Sequence, residues 1–311
     1  MMRGTAPRIT PFSPAELYQS AADSQSCPAE LCKSALLRVL HSLSASCPSP
    51  LAKKTLRLLV KCSRRPMSDL ITRVSLPLKR RQLTVKAVTD LTPSLRRITL
   101  TGDDLTDFHS PGADDHIKVF FASADGDDLT GRDYTPRAFR PDVLELDLDF
   151  VLHEHGMATT WARNADIGDE LLIGGPRGST LVKYEFDEYL LVADDAALPA
   201  LARRLEELPA GAKVTALVEV QSAAHQLLLS SDAAVQLRWL HRGEAAAGTT
   251  TLLRDAVREW QIPSGTVFVW VGAERKAALG IKKELLARGL DAETMRVTAY
   301  WTDDRVVLSP S

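Results

Sequence analysis

The hydrophobic rhythm of this chain changes near residue 185, and that change limits the possible architecture more than any other feature. From Leu83 to Gly174 short apolar runs are separated by turn signals such as Leu91-Thr92-Pro93, Ser110-Pro111-Gly112 and Asp125-Gly126-Asp127. Short, closely spaced strands of this kind predict an antiparallel barrel. Past Phe186-Asp187-Glu188 the apolar run Tyr189 to Ala193 opens a different pattern. Helices are expected over 198–208, 250–260 and 277–288, and strands over 214–220, 235–240, 267–271 and 295–301. Strand and helix in alternation predict a parallel sheet with helices on both faces. Ligands of such sheets bind beyond the C-terminal strand ends, where Asp194-Asp195, Glu219, His241-Arg242 and Gly272-Ala273-Glu274 fall. No G-x-G-x-x-G is present, so the second half is not an ordinary dinucleotide-fingerprint domain.

The first half carries Arg132-Asp133-Tyr134-Thr135-Pro136-Arg137, an R-x-Y-T-x-R stretch between strand-like runs at His116 to Phe121 and Val143 to Leu152. These residue types suit a flavin. A strand-borne Tyr offers a flat face to a ring system, Thr a hydroxyl near its redox edge, and Arg a planar fork for phosphate oxygens. The same residues also fit an exposed hairpin with two solvated arginines. The strand around Leu144 to Leu148 then runs through Val151, His153 and Gly156 into Met157-Ala158-Thr159-Thr160. That order of small and hydroxyl residues marks a helix start, whose free N–H groups and dipole attract phosphate without lysine. An ordinary strand-to-helix connection with Thr159 as the cap is the plainer reading. His153 and His155 are two apart but have no evident third partner for a metal.

Together these segments resemble the siderophore-interacting protein family, ferric-siderophore reductases within the ferredoxin-NADP reductase superfamily. The resemblance extends over most of the chain beyond Leu83: Leu83-Thr84-Val85, Leu91 to Leu100, Asp115-His116-Ile117-Lys118, Gly168-Asp169-Glu170, Gly174-Gly175-Pro176-Arg177-Gly178, Val192 to Ala200, Trp270 to Glu274 and Tyr300-Trp301. It implies an FAD-binding barrel over 67–184 and an NAD(P)H-binding domain over 185–311. Arg132, Tyr134, Thr135 and Arg137 would hold the flavin, with Val151, His153, Gly156, Ala158 and Thr159 on its other side. Tyr300 and Trp301 would cover the ring until nicotinamide displaces them. Asp194, Asp195, Arg242, Gly272, Ala273 and Glu274 would meet NADPH or NADH. Arg203, Arg204, Arg242 and Arg275 are each candidates for a 2′-phosphate, with Arg242 preferred. Lys118 and Arg177 would form a basic rim for an anionic ferric siderophore. His153 bonding a backbone group and Lys118 as a solvated strand lysine are the alternatives.

The implied activity is FAD-dependent, NAD(P)H-driven reduction of ferric siderophores in the cytoplasm. A general flavin or ferric reductase, or a non-catalytic flavin- or siderophore-binding protein, is the other reading. One departure from the resemblance is Thr302 after Tyr300-Trp301, where Arg is usual; Arg305 is the nearest substitute.

Composition is compatible with this. The 311 residues carry a net charge of −2, which gives no general attraction to nucleic acid. No apolar run reaches the roughly 18 residues of a membrane span. Residues 1–66 differ from the rest: they hold ten Lys/Arg against three Asp/Glu and all four cysteines, Cys27, Cys32, Cys47 and Cys62. The cysteine spacing matches no zinc or iron–sulfur pattern. A short amphipathic helix around Leu31 to Leu43 is expected there. The leader falls outside the resemblance, and Met67 is the expected natural start, leaving residues 1–66 as a disordered tail or a mis-assigned beginning. With no cysteine after Met67 to hold a cluster, electrons are expected to pass directly from flavin to iron.

Overall fold

The computed structural model describes residues 70–122, 129–154 and 156–303. The leader with its cysteines and expected helix, His155, and Asp304-Arg305 lie outside these residues.

The first half contains β1 (Ile71–Ser75), β2 (Arg80–Thr92), β3 (Leu95–Thr101), β4 (Ile117–Ala122), β5 (Leu129–Tyr134), β6 (Ala138–Arg140), β7 (Glu145–Val151), β8 (Glu170–Gly174) and β9 (Gly178–Val182), with one helix, α1 (Met157–Asn164). Seven strands form an antiparallel sheet in the order β5-β4-β8-β2-β3-β7-β6, and β1 pairs with β9. Ile117, Val119 and Phe121 of β4 share one core with Leu146, Leu148 and Phe150 of β7, although three strands separate them in the sheet. The sheet must therefore curl on itself. Tyr134 at one edge reaches Phe150 near the other, with ring centroids 4.3 Å apart. Trp161 of α1 plugs the end of the curl against Phe121 and Phe150. This is the barrel-like architecture expected from the short strands.

The expected strand at 143–152 is shorter than the sequence suggests. Pro141–Val143 makes a helical turn, and Leu144 takes a left-handed φ of 49° before β7 begins. The reason is local: proline fixes the turn's first residue and cannot extend the strand.

The second half contains β10 (Glu188–Ala193), α2 (Leu198–Glu207), β11 (Lys213–Val220), β12 (Ala234–His241), α3 (Leu252–Glu259), β13 (Val267–Glu274), α4 (Arg275–Ala287) and β14 (Met295–Trp301). The five strands are parallel, in the order β12-β11-β10-β13-β14. Every residue of β13 is buried, as a two-sided sheet requires. Successive residues serve opposite faces. Leu191, Phe268 and Trp270 pack under Leu201 and Leu205 of α2. Leu190, Val269 and Val271 pack under Val257 of α3 and Ile281 of α4. The order reverses at β10, whose neighbours β11 and β13 lead away on either side. The crevice outside that switch point is where a ligand of such a sheet sits.

Candidate functional site

A cavity of about 570 Å³ opens where the barrel edge meets this crevice. One wall is the end of β5 and the residue after it, Arg132, Tyr134 and Thr135. A second is the β7-to-α1 connection, with Val151, His153, Gly156, Ala158 and Thr159. The third is the end of β14, with Tyr300 and Trp301. Ten residues singled out from the sequence thus line a single space.

Each wall has a local cause. Arg132 lies exposed on β5, gives one N–H to the Gly131 carbonyl at 3.0 Å, and has no carboxylate partner among the described residues. Tyr134 packs on Phe150, and burial pushes its phenol pKa up, so it stays neutral. At the start of α1, Gly156 has φ 127°, a conformation that disfavours any side chain although open space surrounds it. Among the described residues no side chain caps that helix, which leaves its first N–H groups available. Thr159 is not the cap: its hydroxyl accepts from the His153 N–H at 3.3 Å and donates to the Val151 carbonyl at 3.4 Å, tying the helix back to β7. His153 has a lowered pKa, chiefly from desolvation, opposed by the Asp195 carboxylate and aided by Arg242. On the third wall Thr135 hydrogen-bonds the partly buried Tyr300, whose phenol pKa is raised by desolvation. Tyr300 stands edge-on to Trp270 at 6.0 Å.

The nucleotide-side residues are placed differently. Asp194 is buried and acts as a hub: it accepts from Trp301 Nε1 at 2.8 Å, the Glu274 N–H at 2.8 Å and the Ala196 N–H at 3.0 Å. Burial pushes its pKa up to about 6 despite these donors. Glu274 is buried too and caps α4 through the N–H groups of Lys276 and Ala277. Both line a second, smaller cavity of about 130 Å³ with Glu219. Ala273 is fully buried. Gly272 is a close-approach glycine: a Cβ there would meet Ala197 at 2.6 Å and the Tyr300 ring at 2.8 Å. Asp195 pairs with Arg242 at 2.6 Å. That pairing engages the arginine preferred for a 2′-phosphate. Arg203 is bound to Ser110 and Glu207, and Arg204 is buried against Asp114. Of the four candidates only Arg275 is exposed without an ion pair among the described residues.

Of the residues predicted for flavin and substrate, three do not line the larger cavity. Arg137 is mostly buried and does not line it, forming a two-pronged pair with Glu206 of α2, one bond at 2.8 Å, and lying 4.0 Å from the cavity-wall Asp149. Lys118 pairs with Asp133 at 2.8 Å, both half-exposed, so its charge is partly met. Its stem lies across Gly131, which borders the cavity beside Arg132. Arg177 is exposed without an ion pair among the described residues. The sequence reading missed Asp114, His116, Asp149, Ala196, Pro199 and Thr298, which also line the cavity. His116 was visible only as part of a strand, and Asp149 reads as the polar side of an alternating strand.

The donor set fits FAD. A free guanidinium and an uncapped helix start suit a pyrophosphate. An aromatic wall suits a ring system, and the volume falls within the usual range for cofactor sites of roughly 300–1,000 Å³.

Comparison with known proteins agrees with this geometry. Residues 186–304 match the family described as siderophore-interacting protein, and residues 84–131 and 125–180 match the siderophore-interacting FAD-binding domain. An NADPH-dependent ferric-chelate reductase of Escherichia coli is 35% identical over 251 residues, covering 74% of this chain and 95% of the relative. The ferric vibriobactin reductase of Vibrio cholerae is 30% identical over 212 residues, covering 62% and 78%. The crystal structure of a siderophore utilization protein from T. fusca superposes with a TM-score of 0.71 at 39% identity, over 75% of this chain and 96% of the other.

Proposed function

Because the chain belongs to the siderophore-interacting protein family, we propose that it is an FAD-dependent, NADPH-oxidising reductase of ferric siderophores and related ferric chelates. The observation that carries this is the single cavity in which the free Arg132, the uncapped start of α1 and Tyr134 face Tyr300 and Trp301. FAD held by Arg132 and the α1 N–H groups would supply hydride acceptance from NADPH and single-electron delivery, two ferric ions per NADPH.

The protein's own part is positioning. Arg132 and the α1 N–H groups hold the pyrophosphate, while Tyr134, Thr135, Val151, His153 and Ala158 shape the ring pocket. Tyr300 and Trp301 shield it until nicotinamide arrives along the crevice marked by Asp194, Gly272 and Glu274. No side chain needs to act as acid, base or nucleophile. Reduced iron, of lower charge, is held less tightly by anionic oxygen donors and leaves the chelate.

Arg177 and Lys118 form the rim that draws in an anionic chelate. The Lys118–Asp133 pair weakens that rim. It favours broad acceptance of ferric chelates over tight binding of one highly anionic siderophore. No helix among the described residues is long and apolar enough to cross a membrane, and the reading places the protein in the cytoplasm, where NADPH is supplied. The proposed division is a flavin domain over 67–184 and a nucleotide domain over 185–311.

The test is an absorption spectrum of the purified protein, then anaerobic NADPH, then a ferric chelate with a ferrous-specific dye. A flavin spectrum that NADPH bleaches and the chelate restores, with dye colour, is expected. A colourless protein that takes up no added FAD, or a yellow one that NADPH never bleaches, overturns the reading.

A further inference from the structure

The second arginine of the R-x-Y-T-x-R stretch has a task that its place in the motif does not suggest. Arg137 stands two positions after the cavity residue Thr135, yet its side chain is only 11% exposed and reaches Glu206 on α2 with both terminal nitrogens. Its Nε lies 4.0 Å from Asp149, a cavity-wall carboxylate with no exposed surface that is already held two-pronged by Arg97 at 2.7 and 2.9 Å. The same helix grips the neighbouring residue: Arg203 donates to the Pro136 carbonyl at 2.9 Å. One residue further, Arg204 pairs with Asp114, another cavity-lining group, at 2.8 Å. Three side chains within a single turn of α2 therefore clamp the barrel wall of the cavity. At its other end the helix begins at Leu198, and Ala196 and Pro199 line the same cavity from the sheet side.

We propose that Arg137 is a positioning residue. Through Glu206 it fixes α2, and with it the sheet that presents nicotinamide, in register with the flavin-side wall, instead of holding the flavin's phosphates. The proposal rests on the flavin and NADPH reading above. Two consequences follow from the geometry. First, Arg132 and Arg137 divide the labour of the motif, the former open to the cofactor and the latter closed on its own protein. Second, the two halves need no closing motion to assemble the site, because a bidentate arginine–carboxylate pair, mostly buried on the arginine side, holds geometry better than an exposed lysine pair. Hydride transfer is steep in distance: a misplacement of about 1 Å can slow a reaction on the order of a hundredfold. Loosening the clamp should therefore slow the step that needs both halves and spare the steps that need only one.

The test compares wild type, Glu206→Gln, Arg137→Gln, the double variant and Arg137→Lys. Three quantities are measured: FAD affinity of the apo form by fluorescence titration, the anaerobic bleaching rate with NADPH in stopped flow, and electron delivery from dithionite-reduced protein to a ferric chelate. The expected result is FAD affinity within about threefold of wild type and chelate reduction unchanged, with bleaching at least about tenfold slower in both Gln variants. The double variant should be no slower than either single one, with partial recovery in Arg137→Lys. Loss of FAD in Arg137→Gln comparable to that in Arg132→Ala would overturn the proposal and return Arg137 to the phosphates. Unchanged bleaching with FAD bound would overturn it as well, as would independent, multiplying effects of the two substitutions. If a Gln variant fails to fold, Arg137→Lys against wild type decides by the same criteria. Wild-type protein that NADPH never bleaches would instead refute the functional reading itself.

Discussion

Replacing Arg132 by alanine should separate cofactor binding from folding. Arg132 lies exposed on β5, and among the described residues its only side-chain hydrogen bond runs to the carbonyl of the residue before it. It neutralises no buried carboxylate, so its loss strands no charge in the apo protein, and the apo melting temperature should stay within a degree or two of wild type. The holo protein is different. Each charge-assisted bond to a phosphate oxygen contributes roughly 1.5–3 kcal/mol. One lost bond then weakens FAD binding by about tenfold to a hundredfold, and a two-pronged contact by the square of that. Saturating ligand stabilises the folded state by about 2.7 kcal/mol at a hundred times Kd, so most of the FAD-induced rise in melting temperature should vanish at a fixed FAD concentration. The assay is thermal melting of apo and FAD-loaded protein, with FAD titration alongside. An Arg132→Ala protein with unchanged FAD affinity would refute the assignment. An apo protein that melts far lower would show that Arg132 has a structural partner instead.

Gly272→Ala should destabilise the fold by roughly 1–3 kcal/mol and disturb Tyr300, because its Cβ would meet Ala197 and the tyrosine ring; an unchanged melting temperature would contradict this. Asp194 yields a pH prediction. Its folded pKa of about 6 lies above its ordinary 3.8, so the folded state binds the proton more tightly and stability from this group falls as pH rises from about 4 to 6, then levels. The span is on the order of 3 kcal/mol, and melting curves should show a slope over that window that Asp194→Asn flattens; equal slopes in both proteins would exclude the effect. Arg177→Ala should raise KM for an anionic ferric chelate more than Lys118→Ala does, since Asp133 already pairs with Lys118, and both effects should shrink in high salt; the reverse order would place the substrate nearer β4. A chain beginning at Met67 should keep its FAD and melting temperature, and a large drop in either would give the leader a structural part.

How legible the site was in the sequence depended on how local its causes are. Tyr134, Thr135 and the Gly156–Thr159 turn were readable because strand alternation and a helix start are written in neighbouring residues. The strand–helix alternation likewise placed Asp194 and Glu274 at the ends of β10 and β13. The misses are contacts between residues on different strands or connections, whether near or far in the chain. Glu145, Asp147 and Asp149 alternate with apolar residues along the strand, a pattern that by itself says nothing of partners. The structure buries Asp147 and Asp149, pairing Asp147 with Arg140 and Asp149 with Arg97. Arg242 read as a free cation at a strand end, but Asp195, on a different strand's connection, pairs with it. A carboxylate that charge patterning sends to solvent can be buried wherever an arginine from another strand arrives to meet it, and periodicity carries no record of that arrival.

Helix α2 shows the same limit and also explains why it matters for function. Arg203-Arg204-Leu205-Glu206-Glu207 looks like an ordinary solvated face, complete with an i,i+4 pair between Arg203 and Glu207 at 2.8 Å. Yet Arg204 is 1% exposed and stacked over Phe268 and Trp270, while its charge meets Asp114 from the barrel, which Arg296 also approaches at 3.4 Å. Burying these charges is unfavourable unless each is met. A helix that needed only to cover the sheet would be served as well by apolar residues there. Hydrophobic contacts tolerate sliding, whereas a planar guanidinium against a carboxylate fixes direction as well as distance. In a protein whose chemistry depends on two ring systems meeting at a set separation, charged pairs between the barrel and the sheet supply the alignment that apolar packing alone would leave loose.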